Sequence, residues 1–121
     1  EKVLRNCKEE IIDKGGHIFF AIFKSKVVGT MALIPRDEGV YELNKMAVKK
    51  DLRGNGIGHQ LIQYTIDFAK NNNYKSVILY SNTVLKNSIH LYNKFGFKKI
   101  DNPDAPYERS DIKMEYILSN S

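Results

Sequence analysis

The chain carries one cysteine, Cys7, among 121 residues, so no disulfide can form within it. A lone thiol fits a reducing compartment, and the expected location is the cytoplasm. No apolar run approaches the ~20 residues needed to span a bilayer, so no membrane association is expected. No leader pattern opens the sequence, because residues 1–14 form a charged, helix-like stretch. Cysteine and histidine spacing suited to a metal is missing; His17, His59 and His90 stand apart with no motif around them. There is no aromatic–basic motif of the RNA-reading kind, so nucleic acid is not an expected partner. Repeats, low-complexity tracts and linkers are absent too.

What remains is ordinary in composition. Hydrophobic residues make up 42% and charged residues 27%, as in a globular domain, and the length suits one core rather than two. The expectation is one domain over residues 1–121. The formal charge of +5 is spread over scattered lysines, which usually means a solvated surface. It suits an anionic ligand and RNA equally.

Periodicity supplies the elements. Lys2 to Asp13 reads as a helix, with Val3, Leu4, Cys7, Ile11 and Ile12 at helical spacing and Gly15-Gly16 stopping it. That spacing sets Cys7 on the helix's apolar side, where packing is the expected role. His17–Phe23 and Lys26–Ile34 read as a hairpin about Lys24-Ser25. A second turn over Pro35–Gly39 leads to a strand over Val40–Val48. Next comes a helix whose Ile57, Leu61, Ile62, Thr65, Ile66, Phe68 and Ala69 share one side, ending in Asn71-Asn72-Asn73. Ser76–Tyr80 is a short strand, and Leu85–Phe95 is a helix capped by Gly96. Phe97–Ile100 and Asp111–Leu118 are closing strands joined by a loop with Pro103 and Pro106. This order predicts an α/β fold with a mixed, largely antiparallel central sheet and helices on both faces.

The richest segment is Val48-Lys49-Lys50-Asp51-Leu52-Arg53-Gly54-Asn55-Gly56-Ile57-Gly58. Glycines at alternate positions let backbone N–H groups converge at a helix start, where the helix dipole also favours an anion. Arg53 adds a fixed positive charge. A plain tight connection accounts for two glycines; Arg-x-x-Gly-x-Gly between a strand and a helix points to phosphate. The lysine–hydroxyl pair of a Walker loop is missing, which speaks against an ATP-binding domain. The glycine spacing also differs from the dinucleotide fingerprint.

The string resembles the Arg/Gln-x-x-Gly-x-Gly/Ala signature of the GNAT superfamily of N-acetyltransferases, in its bacterial type. A second similarity runs from Leu79-Tyr80-Ser81-Asn82 into Ser88-Ile89-His90-Leu91-Tyr92-Asn93-Lys94-Phe95-Gly96-Phe97, and a third is Glu42-Leu43 followed by Met46-Ala47-Val48. The resemblance covers about residues 17–118. Family members usually begin with a strand and a helix ahead of the segment matching Lys2–Asp13. Their absence suggests a fragment or a minimal member, and bears on the acceptor side of the site rather than the cofactor side.

The resemblance implies a GNAT-like acyl-coenzyme A N-acyltransferase fold and transfer of acetyl from acetyl-coenzyme A to a primary amine by direct attack in a ternary complex. No metal is implied. The acceptor is a small-molecule or peptide amine, and relatives are often homodimers. It further implies a splay between the Val40–Val48 and Ser76–Tyr80 strands that admits the pantetheine arm. Backbone groups of Met46, Ala47 and Val48 would pair with that arm, with the Met46 N–H on the thioester carbonyl. Arg53, Gly54, Asn55, Gly56, Ile57 and Gly58 would hold the pyrophosphate. Asn82 either bonds the pantetheine arm or acceptor, or caps a helix. Tyr92, which by spacing alone would be a core residue, would protonate the leaving thiolate. Glu42 is the candidate base, expected on one strand face with Asn44 and Met46; a solvated strand residue is the alternative. Partial burial would favour its taking a proton near neutral pH. A non-catalytic acyl-coenzyme A binding module would show the same cofactor residues without transfer.

Overall fold

The computed structural model describes residues 6–12, 15–49, 51, 56–100 and 111–118, the stretch 6–12 by its backbone. Among the described residues seven strands and two helices follow one another: β1 (Asn6–Ile12), β2 (Gly16–Phe23), β3 (Lys26–Asp37), β4 (Val40–Val48), α1 (Ile57–Asn71), β5 (Ser76–Ser81), α2 (Lys86–Phe95), β6 (Lys98–Ile100) and β7 (Ile112–Ile117). They form a single mixed sheet in the order β1-β2-β3-β4-β5-β7-β6. Among the described strands only β4 and β5 pair in parallel, as the helical crossover between them requires.

The expected first helix is instead a strand. Asn6–Ile12 pairs with β2 along its whole length, from Asn6↔Ile22 to Ile12↔Gly16. Cys7 therefore lies on a strand, opposite Ala21. The physical reason is tertiary. β2 is rich in branched and aromatic residues, and pairing along its edge outweighs a weak local helix preference.

The β2–β3 hairpin turns where the sequence indicates, at Lys24 and Ser25, both with positive φ (51° and 64°). Such a turn matches the twist of the flanking strands. The following turn is shorter than its composition suggests. β3 continues through Pro35 to Asp37, with Pro35 opposite Tyr41 beside a register shift, and only Glu38-Gly39 turns. A bulge tolerates the missing proline N–H.

α1 packs across β2, β3, β4 and β5 through Ile57, Leu61, Ile62, Thr65, Ile66 and Ala69. Against them lie Phe19, Met31, Leu33, Leu43, Val77 and Leu79, all buried. The approach of β3 to α1 is close at Gly29, where a Cβ would meet Leu61 Cδ1 at 3.0 Å and Ile57 Cγ2 at 3.2 Å.

Both helices lie on the same side of the sheet, a correction to the expected two-sided cover. The ring of His59 on α1 is 4.6 Å from that of Phe95 on α2. Tyr92 of α2 packs on Phe97, Phe97 on Tyr116, and Tyr116 is the sheet partner of Val77, itself the partner of Tyr41. Tyr41 in turn stacks on Tyr74 just after α1, at 3.8 Å. Directly paired residues share a face, so this chain of contacts fixes the side. With Asn6–Ile12 in the sheet, no described helix is left for the other face. That face carries Ala32, Ile34, Glu42, Asn44, Ile78 and Tyr80, by the pairings Ala32↔Asn44 and Ile34↔Glu42↔Ile78. No described helix is long and apolar enough to cross a membrane.

Candidate active site

The pairing of β4 with β5 runs through Val40↔Ser76, Tyr41↔Val77 and Glu42↔Ile78 and then stops. Both strands continue, β4 to Val48 and β5 to Ser81. β4 stays bonded to β3 as far as Gly29↔Val48, while β5 stays bonded to β7 as far as Ser81↔Ile112. Each half-sheet keeps its own strand, so the two part into a V with Glu42 and Ile78 at its apex. A polar ladder left open inside a fold calls for another extended group to fill it.

A bulge shapes the β4 arm. Thr30 pairs with Ala47 and Ala32 with Asn44, so three steps on β4 span two on β3. The extra residue flips the alternation, and Met46 does not share the face of Glu42 and Asn44 as simple parity predicts. Met46 and Val48 instead pack against the helix-side core, whereas Ala47 is exposed.

α1 begins beyond the end of the same strand. Its N-cap Gly56 has φ 81° and ψ 8°, no side chain caps the helix, and no acid lies in its first turn. A Cβ at Gly56 would meet nothing within 4 Å, so its surroundings are open. The first amides of a helix have no intrahelical acceptor, and among the described residues no side-chain cap supplies one. Ile57, the first residue of the helix, is buried. Gly58 brings three elements together: a Cβ there would lie 4.0 Å from both Val48 Cγ2 and Leu91 Cδ2. The end of β4, the start of α1 and the middle of α2 thus meet beside Tyr92. Arg53, Gly54 and Asn55 lie outside the described residues.

Tyr92 is the buried residue of α2. Burial raises its phenol above the ordinary value, so it holds its proton throughout the neutral range. Packing on Phe97, at 5.8 Å between rings, makes it a core residue as well.

Glu42 is 1% exposed and accepts a hydrogen bond from Arg36 Nε at 2.7 Å. A buried carboxylate requires such a partner. Reading Arg36 as part of a turn hides it; on the extended β3 it lies two residues past Ile34, diagonal to Glu42. Strand parity alone says nothing more of Asn44, whose Oδ1 is buried and has no hydrogen-bond partner among the described residues.

Asn82 builds the approach to α2. Its Oδ1 accepts from Val84 N at 3.0 Å and its carbonyl from Leu85 N at 2.9 Å. The N-cap itself is Leu85. Next to it, Thr83 donates through both its backbone N–H and its hydroxyl to Asp111, each at 2.8 Å. Those two bonds hold the Asp111 carboxyl below the usual carboxylate range. Among the described residues no three histidine, cysteine or acidic groups gather as metal ligands would.

Comparison with known proteins agrees with this geometry. The family model described as the acetyltransferase (GNAT) family matches residues 2–97, and the chain belongs to that family. N-acetylaspartate synthetase of Danio rerio is 32% identical over 113 residues, covering 84% of this chain and 40% of that protein. The chain thus spans well under half the length of this curated relative. Among solved structures, a GNAT-family acetyltransferase of Staphylococcus aureus superposes with a TM-score of 0.81 at 26% identity, covering 90% of this chain and 72% of that one. A GNAT acetyltransferase of Elizabethkingia anophelis, solved with acetyl-CoA bound, gives 0.75 at 26% identity, covering 85% and 76%. Relatives from vertebrates and bacteria appear together, so no bacterial type is singled out.

Proposed function

We propose that this domain transfers the acetyl group of acetyl-coenzyme A to a primary amine of a small molecule or peptide, by direct attack in a ternary complex. The observation that carries the reading is the V between β4 and β5 with the uncapped start of α1 at its mouth. The residues fit the cofactor. Open space at Gly56, room at Gly58 and orphan amides suit a diphosphate, and the parted ladder suits an amide-bearing arm.

Acetyl-coenzyme A supplies a thioester, whose carbon–sulfur bond breaks as the amine nitrogen bonds to the acyl carbon. Arg53, Gly54, Asn55, Gly56, Ile57 and Gly58 hold the pyrophosphate. Backbone groups of Met46, Ala47 and Val48 pair with the pantetheine arm, and the Met46 N–H donates to the thioester carbonyl where negative charge grows. Tyr92, kept protonated by burial, gives its proton to the departing sulfur. Glu42 at the apex takes the proton lost by the amine, directly or through water, with Arg36 holding its carboxylate in place. Asn82 serves mainly to shape the approach to α2, since its Oδ1 is already engaged.

The test is release of free coenzyme A thiol from acetyl-coenzyme A across a panel of primary amines, alongside calorimetry of cofactor binding. Binding without release by any amine identifies a non-catalytic acyl-coenzyme A module. Glu42→Gln should lower turnover by about 100-fold, with the greatest loss near neutral pH. An unaltered pH–rate profile removes Glu42 as the base.

A further inference from the structure

The helix-free face of the sheet carries Glu42 and Asn44. The phosphate-binding end belongs to the other face, where α1 and α2 pack together. Glu42 lies at the apex of the V on the helix-free face, and its partner in β5 is Ile78. One alternation further along each strand stand Asn44 on β4 and Tyr80 on β5. They flank the opening, beyond the last bonded pair. Asn44 is held against β3 by the pairing with buried Ala32, just ahead of the bulge that turns Met46 to the helix side. Tyr80 is held from behind by Lys113, whose Nζ sits 5.5 Å from its ring centroid.

Among the described residues the Asn44 Oδ1 is shut off from solvent without a hydrogen-bond partner, an arrangement that costs stability wherever nothing compensates it. Its sheet partner Ala32 offers it no donor side chain. A buried acceptor two residues from the base is suited to an N–H that arrives with the substrate.

We infer that Asn44 is the acceptor-positioning residue: its Oδ1 accepts one N–H of the incoming primary amine while Glu42 takes the other proton, so that the nitrogen lone pair faces the acyl carbon. Tyr80 forms the opposite wall of that subsite. The assignment rests on the acetyltransfer reading above. It also predicts a preference for primary over secondary amines, because two N–H groups are used at once.

The experiment compares Asn44→Leu and Asn44→Asp with the unaltered protein, using 2-phenylethylamine, spermidine and L-alanine amide as acceptors. Thiol release gives KM for each amine, calorimetry gives acetyl-coenzyme A affinity, and thermal melting reports the fold. Asn44→Leu should raise KM for the amine about tenfold or more, the effect of one hydrogen bond to a polarised N–H. Cofactor affinity should stay within about twofold, and the melting temperature should not fall. Asn44→Asp, which keeps an acceptor oxygen, should restore most of the lost KM. An unchanged amine KM in Asn44→Leu overturns the assignment. So does a loss confined to acetyl-coenzyme A affinity, which would give Oδ1 to the pantetheine arm. If the unaltered protein binds acetyl-coenzyme A yet acetylates none of the amines, the subsite and the transfer reading both fall while the cofactor site stands. If acetyl-coenzyme A is not bound either, the cofactor site falls with them.

Discussion

The two helices are led into differently. Ahead of α2, Asn82 Oδ1 accepts from Val84 N while Thr83 donates twice to Asp111, so the turn is internally braced. α1 starts on Gly56 in a left-handed conformation, where a Cβ would meet nothing within 4 Å. Among the described residues neither helix has a side-chain cap or an acid in its first turn. The contrast lies in the lead-in, a turn whose groups bond one another against a glycine with open space around it.

Substitutions can break that contrast. The largest effect should come from Gly56→Glu, which sets a carboxylate where an anion is to bind. We expect at least about a 100-fold loss of acetyl-coenzyme A affinity, by charge repulsion and loss of the left-handed turn. The fold should survive, because a Cβ there meets nothing within 4 Å. Calorimetry and thermal melting separate the two effects, and an unchanged affinity would end the phosphate assignment.

Tyr92→Phe comes next. Turnover should fall by about 100-fold with little change in cofactor affinity, since a general acid is lost while the ring remains. Because burial raises the phenol, its deprotonation should not limit the rate until the pH exceeds the ordinary value of about 10. Equal turnover in Tyr92→Phe would leave Tyr92 as packing alone.

Thr83→Val addresses the braced turn and should lower stability without touching cofactor affinity. Its signature is the pH dependence. The Asp111 pKa is depressed in the folded protein, chiefly by the Thr83 hydrogen bonds. Its contribution is therefore complete above the unfolded carboxylate value of about 4 and is lost as the pH falls through the lower folded value. Melting curves of the two proteins should differ at pH 7 and converge toward pH 2. Parallel curves over that range would show that the clamp is not linked to folding.

The smallest effect is expected at the β2–β3 hairpin. Ser25 has φ 64°, which glycine adopts without strain, so Ser25→Gly should raise stability by about 1 kcal/mol in a denaturant titration. No change would mean that the unfolded chain gains as much freedom as the turn loses in strain.

Legibility in the sequence followed the range of the forces involved. α1 was readable because Ile57, Leu61, Ile62, Thr65, Ile66 and Ala69 repeat at the helical period, and all six are buried. β4 was readable to its end residues. Asn6–Ile12 was misread, because its partner β2 decides its state and leaves no clear alternation in Asn-Cys-Lys-Glu-Glu-Ile-Ile. Within the candidate site, Gly56 and Tyr92 are singled out by local strings, and their roles belong to the proposal. The Arg36–Glu42 pair has no local string, since it depends on β3 running past Pro35. Asn44 gave no signal beyond its place on the strand.

The amino-acid order alone determined that an amphipathic helix beginning at a glycine follows β4 and that Tyr92 falls on the inner side of a later one. Those properties arise from backbone conformational freedom and from periodicity within a few turns. Tertiary structure alone decided that β4 and β5 part after Glu42, that a bulge sends Met46 and Asn44 to opposite faces, and that both helices share one side. Each depends on hydrogen-bond register between distant strands, and register has no local trace because it is set by which edges meet.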